Sequence, residues 1–136
     1  DLLQATGNAD PLKVLYLIWK DPWFTVSRST YVSSLLSRAR LDTLPAASAT
    51  RYPTLTTADA LWGNADLILL SSEPYAFRQK HVDALSRTLS PSKPVMLVDG
   101  EMLSWYGNRA TAGLRYLKQL RATIDALIKA PGHTRS

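Results

Sequence analysis

Residues 14–18, Val-Leu-Tyr-Leu-Ile, are apolar without interruption, and so are 67–70 (Leu-Ile-Leu-Leu) and 95–98 (Val-Met-Leu-Val). A strand wetted on one face alternates apolar and polar positions, whereas a strand covered on both faces has no reason to. Each run therefore predicts a strand inside a parallel sheet. Between the runs the apolar spacing changes to that of a helix. Val32, Leu35 and Leu36 share one face over 30–38, a second helix is predicted over 56–62, and Val82, Leu85 and Leu89 share one face over about 78–89. Leu114, Leu117, Leu120, Ile124, Leu127 and Ile128 mark a long amphipathic helix that ends before Pro131.

Strands and helices in alternation predict an α/β fold: a three-layer α/β/α sandwich around a mostly parallel sheet of four to five strands, with right-handed crossovers. Residues 51–55 predict an extra edge strand, because Pro53 has no N–H to give a central ladder. Thr56 and Asp59 have the spacing of a helix capping box. Residues 1–12, with Gly7, Asn8, Asp10 and Pro11, read as a lead-in, 13–130 as a single α/β domain, and 131–136 as a polar tail.

Composition narrows the function classes. A chain of 136 residues, 46% hydrophobic and 20% charged, suits one domain rather than two or a disordered tail. The longest apolar run, Val14 to Trp19, is far short of the roughly 20 residues of a membrane-spanning helix. Lys and Arg outnumber Asp and Glu by 16 to 11, a net charge of +5, yet the basic residues are scattered, so a nucleic-acid partner is not expected. Cysteine is absent, which removes disulfides, thiolate metal sites and cysteine nucleophiles. His81 and His133 stand far apart, so no metal site is expected. Neither GxGxxG nor GxxxxGK[ST] occurs, so no glycine loop cradles phosphate.

In open parallel sheets ligands bind outside the carboxyl ends of the strands. In this chain the residues just after the strands are aromatic. Trp19, Trp23 and Phe24 follow the first, Tyr75 and Phe77 follow the strand at 67–70, and Trp105 and Tyr106 follow the last, seven of the twelve aromatics. That placement predicts an aromatic rim for a large, flat or apolar ligand, although each ring alone could simply cap a sheet end. Glu73, Asp99 and Glu101 fall on the same rim, where two acids beside an apolar cleft would suit acid–base catalysis. Strand-end acids also commonly cap the next turn, and no histidine, cysteine or lysine stands with them. Three readings follow: a binding domain without enzymatic activity, a small α/β enzyme using these carboxylates, and an interaction domain with no small ligand.

The segments Val14-Leu-Tyr-Leu-Ile-Trp-Lys-Asp-Pro-Trp-Phe-Thr-Val26, Arg51-Tyr-Pro53, Leu67-Ile-Leu-Leu-Ser-Ser-Glu-Pro-Tyr75 and Val98-Asp-Gly-Glu-Met-Leu-Ser-Trp-Tyr-Gly-Asn-Arg109 together resemble the C-terminal lobe of class III substrate-binding proteins of ABC importers. The resemblance runs from about Lys13 to Lys129 and is nearest to the cobalamin-binding type, with iron-siderophore and haem binders as relatives. It implies two α/β lobes joined by a long helix, with ligand held between them. Residues 1–12 would hold the end of that helix, and the N-terminal lobe would lie elsewhere in a longer parent chain. It further implies a non-enzymatic, periplasmic or extracytoplasmic protein that carries a corrinoid or iron chelate as transported ligand, needs no cofactor, and delivers to a membrane permease. Strand-end placement and the resemblance together give the expected ligand-binding residues as Trp19, Trp23, Phe24, Tyr52, Glu101, Trp105 and Tyr106. By resemblance, Trp23 or Phe24 lines the cleft, Tyr52 is another ring just before the family's proline, Glu101 faces the ligand, and Trp105 and Tyr106 belong to the same loop. The family's permease-docking glutamate falls at Ala58, which leaves Asp59 as a weak substitute for docking.

Overall fold

Each of the three apolar runs forms a strand. In the computed structural model, which describes residues 10–89, 93–103 and 110–129, the elements in chain order are β1 (Leu12–Leu17), β2 (Trp23–Phe24), α1 (Tyr31–Ser37), β3 (Leu41–Thr43), β4 (Thr54–Leu55), α2 (Leu61–Asn64), β5 (Leu67–Ser71), α3 (Gln79–Thr88), β6 (Val95–Val98) and α4 (Ala110–Lys129). The main sheet has four parallel strands in the order β3-β1-β5-β6. Val14 lies opposite Leu67 and Ile68 opposite Val95, so β1 and β5 are paired on both edges.

Continuous apolar runs are required because successive side chains go to opposite layers. Val14 and Tyr16 of β1, with Leu67 and Leu69 of β5, pack against Leu35 and Leu36 of α1 and Leu117, Leu120 and Ile124 of α4. Leu15, Leu17, Ile68 and Leu70 face the other way, against Trp62 of α2, Val82 and Leu85 of α3, and Phe77. The three-layer α/β/α sandwich is therefore present, with α1 and α4 on one face and α2 and α3 on the other. No helix among the described residues is long and apolar enough to cross a membrane.

Three local expectations are corrected. The extended segment at 51–55 does not edge the main sheet: β4 pairs antiparallel with β2 in a separate two-stranded ribbon, Trp23 opposite Leu55 and Phe24 opposite Thr54. The edge strand is instead β3, where Asp42 interrupts the apolar signal. The helix expected over 56–62 is a turn followed by the single-turn α2, because Thr56 and Thr57 are poor helix formers and Gly63 with Asn64 ends the helix early. The Thr56/Asp59 capping box is not formed. Asp59 instead donates its own N–H to the Thr56 carbonyl at 3.1 Å, while its Oδ1 accepts the Leu61 N–H at 2.9 Å.

At the amino edge of the sheet a buried arginine joins three pieces of chain. Arg121 of α4 is 3% exposed. Its Nη1 donates to the Ala39 carbonyl at 3.0 Å and the Arg40 carbonyl at 3.4 Å, its Nη2 to the Asp10 carbonyl at 2.7 Å, and its Nε to Asp125 at 2.9 Å. The α1–β3 connection it grips contains Arg40 in the left-handed region at φ 59°. A side chain there costs about 1 kcal/mol that glycine does not. Arg40→Gly is accordingly expected to raise the urea unfolding midpoint by an amount equivalent to about 0.5–1 kcal/mol.

Candidate functional site

The chain leaves the central strand β1 toward β3 at one edge, then crosses back past β1 to β5. The connections diverge at the carboxyl ends of β1 and β5, which is where an open parallel sheet leaves a crevice. A cleft of about 560 Å³ opens there, within the size range of small-molecule sites.

Its rings are set by the hairpin at the end of β1. The Ile18 N–H donates to the Phe24 carbonyl at 2.9 Å and the Phe24 N–H to the Trp19 carbonyl at 3.2 Å, so Trp19 and Phe24 form an antiparallel bridge. Directly opposed residues share a face, and both line the cleft. The far wall is held by the Ser27 N–H on the Arg51 carbonyl at 2.8 Å and the Thr25 N–H on the Pro53 carbonyl at 2.9 Å, which present Arg51 and Tyr52. Thr30 caps α1, its Oγ1 accepting the Ser33 N–H at 3.2 Å, and brings Tyr31 and Val32 to the same cavity. Trp19 and Tyr52 are 40% and 48% exposed, the large apolar side chains left open to solvent among the described residues.

The floor is polar and closed. Tyr16, 2% exposed, donates its hydroxyl to Ser71 Oγ at 3.2 Å, and Ser71 Oγ donates to the Glu73 carbonyl at 2.7 Å. Burial pushes the Tyr16 phenol well above the ordinary tyrosine range, so it stays a neutral hydrogen-bonding group. Glu73 and Pro74 complete the rim, so the apolar rings are bracketed by one cation, Arg51, and one carboxylate, Glu73.

Trp23 does not join this set. Next to Phe24 in a strand, it points to the opposite side, where it packs edge-on to Trp62 at 5.2 Å between ring centroids and stacks parallel to Phe77 at 6.2 Å. It lines a second cavity of about 590 Å³ together with Lys20, Asp59, Trp62 and His81. Glu101 is exposed at the end of β6 and does not line the cleft. Its N–H and that of Met102 donate to Asp99 Oδ1 at 3.0 and 3.2 Å, so Asp99 caps the turn after the strand. Trp105 and Tyr106 lie outside the described residues. Of the ring set read from the sequence, the structure brings Trp19, Phe24 and Tyr52 together. Arg51 and Tyr31 are added by it. A usable signal for Tyr31 was its position just inside a helix that starts at the carboxyl edge.

Chemically the cleft can stack and clamp. Among the described residues no group of three or more His, Asp or Glu is placed to hold a metal ion. Of the three acids considered for catalysis, Glu73 alone lines the cleft, and Asp99 is engaged with the two backbone N–H groups of its turn.

The fold matches solved structures. The periplasmic vitamin B12 binding protein BtuF of Vibrio cholerae superposes on 92% of this chain with a TM-score of 0.68 at 16% identity, over 49% of its own length. A possible iron-binding, periplasmic solute-binding protein from Staphylococcus epidermidis matches over 90% of this chain and 49% of its own, with a TM-score of 0.71 at 14% identity. The periplasmic heme-binding protein RhuT from Roseiflexus matches over 89% and 50%, with a TM-score of 0.66 at 18% identity. The chain has the fold of one lobe of such binding proteins. It spans about half the length of the structures it matches, as expected for a single lobe. No protein-family model and no curated protein matches the sequence.

Proposed function

We propose that this chain is one ligand-holding lobe, the C-terminal one, of a two-lobed substrate-binding protein of an ABC importer. It works outside the cytoplasmic membrane, in the periplasm or another extracytoplasmic space, and uses the cleft to hold one face of a bulky corrinoid or metal chelate. The observation that carries the reading is the pair of exposed rings, Trp19 and Tyr52, facing a cleft of about 560 Å³ at the switch point of the sheet. Rings of this kind can bury about 150–250 Å² each when fully covered, and soluble proteins seldom leave large apolar patches in the open without a partner for them. A ligand seated there is covered on one side only, so the second lobe supplies the other wall.

The test is a fluorescence and calorimetric titration with cyanocobalamin, haemin and a ferric siderophore. The lobe alone is expected to bind one of the three weakly, and the two-lobed parent to bind it far more tightly, since each 1.4 kcal/mol of lost contact costs tenfold. Trp19→Ala is expected to weaken binding about tenfold, as for a central aromatic anchor. Trp23→Phe, on the other face of the ribbon, should leave affinity unchanged. Negligible response of the parent to all three ligands would remove the reading in favour of a ligand-free interaction domain.

The permease-facing role assigned to Asp59 is a weaker element of the same proposal. Asp59→Asn keeps an oxygen to accept the Leu61 N–H and removes only the charge, so it should slow transport by the parent without changing ligand affinity or stability. Unchanged transport would leave Asp59 with its capping role alone.

A further inference from the structure

We infer that His81 is a positioning residue for the cleft: it sets the rings that stand behind Trp19, and taking up a proton there loosens the cleft's hold on its ligand. The inference rests on the cleft being the ligand site, and it concerns how that site is regulated.

Trp19 is not held by the hairpin alone. Its ring meets Tyr75 edge-on at 5.2 Å; Tyr75 lies 4.6 Å from Phe77; and His81 meets both, edge-on, at 5.6 and 5.4 Å. The Tyr75 N–H donates to the Ile18 carbonyl at 3.3 Å, so the backbone under this stack is tied to the end of β1 as well. Four rings thus form a continuous support from the start of α3 to the open face of Trp19.

The orientation of His81 depends on one hydrogen bond. Its Nδ1 accepts the Arg78 N–H at 2.9 Å, the backbone-facing half of a capping box at the start of α3. A neutral imidazole can do this with its proton on Nε2. An imidazolium cannot, because Nδ1 then carries a proton and two donors confront each other. The added charge would sit at the positive end of α3. The ionisable groups around it are Arg78, Lys80 and Asp83 from the start of α3, Lys20 and Asp21 from the hairpin, and Asp59 from the turn before α2. Burial, with Lys80 and Lys20 adding to it, keeps the imidazole harder to protonate than a free histidine. The sign follows: the unfolded chain binds this proton more readily, so the stability contributed by neutral His81 is present above about pH 6.5 and is lost as pH falls below it.

Proton uptake therefore releases the Arg78 N–H, swings the imidazole off Tyr75 and Phe77, and removes the edge that fixes Trp19. Two substitutions separate the parts. His81→Gln keeps an acceptor at the same helix position without titrating, and His81→Phe keeps a ring without an acceptor.

The experiment follows the Trp19 indole N–H and the His81 ring protons by NMR across pH 5–8 in the ligand-free chain, with Trp19→Phe to assign the indole signal. The Trp19 signal is expected to move with the same midpoint as His81, below 6.5. It should be pH-independent in His81→Gln and should resemble the acid form at every pH in His81→Phe. A Trp19 signal that stays still while His81 titrates, or one that still titrates in His81→Gln, overturns the inference. The same variants are then titrated with whichever of cyanocobalamin, haemin or the ferric siderophore the parent binds. Affinity should fall about fivefold from pH 7.5 to 5 in the native sequence and not in His81→Gln. Equal affinity at both pH values with a moving Trp19 signal would overturn the effect on ligand. Absence of binding at any pH, with Trp19 still tracking His81, would instead remove the cleft reading and leave the positioning role standing.

Discussion

Arg121→Leu is expected to lower the unfolding free energy by about 3–5 kcal/mol, the range seen when one member of a buried, hydrogen-bonded charge set is removed. The side chain is almost wholly enclosed, and its guanidinium occupies the carbonyls of Asp10, Ala39 and Arg40 as well as the Asp125 carboxylate. Leucine fills much of the volume but leaves the buried Ala39 carbonyl and the part-buried Asp10 carbonyl without the donor they now have, while the Arg40 carbonyl keeps the Leu12 N–H at 2.9 Å. Each buried loss costs about 1–3 kcal/mol. Asp125, near the surface, recovers part of its solvation, which keeps the total within the stated range. Arg121→Lys should recover little, since a single ammonium cannot span carbonyls on two chain segments and the Asp125 carboxylate as the planar fork does. Urea denaturation followed by circular dichroism measures both. A loss below 1 kcal/mol for Arg121→Leu would show that the clamp is not needed.

Gly100→Ala is expected to cost about 2–3 kcal/mol and to disturb the cleft at the same time. Gly100 is buried just past β6, and a methyl group on it would run into Ser71 Oγ and press within 3.2 Å of the Glu73 carbonyl. Overpacking of this kind typically costs 1–3 kcal/mol. The Ser71 hydroxyl can rotate clear only by giving up its bonds to the Tyr16 hydroxyl and the Glu73 carbonyl, and the Glu73 backbone cannot swing aside. Ser71 Oγ is also the group that receives the Tyr16 hydroxyl, and Glu73 forms the rim. The variant should therefore show reduced stability together with weakened ligand binding at temperatures where it remains folded. Native stability with native affinity would mean that the β5 and β6 ends separate easily.

The difference between these two positions and the rings of the cleft shows what a sequence exposes. β1, β5 and β6 were legible because burial on both faces demands an unbroken apolar run, and that demand is local. Trp19 and Phe24 were legible as rim residues because parallel strands put their carboxyl ends on one edge, whereas Tyr52 was reached only through the family resemblance. The facing of Trp23 was not, since it depends on a two-residue ribbon with β4 whose register no periodicity announces. β3 was hidden by Asp42, whose partly open side chain an edge strand tolerates. Arg121 looked like one more polar position on an amphipathic helix. Its role arises from carbonyls 81, 82 and 111 residues away along the chain, a relation that only the folded sheet creates.

The all-parallel main sheet has a kinetic consequence. Val14 waits for Leu67, and Ile68 for Val95, so no strand of that sheet can pair with its neighbour through a tight turn. Loop closure has to come before contact is rewarded, and chains dominated by such distant pairings fold slowly, on the order of milliseconds to seconds. The β2–β4 ribbon joins residues as distant as Trp23 and Leu55 and is too short to be stable by itself, so it cannot act as a template. A newly made chain of this design stays extended for longer than a helical bundle of equal size. Under the proposed function, that interval would leave the chain open to passage through a membrane pore before its core closes.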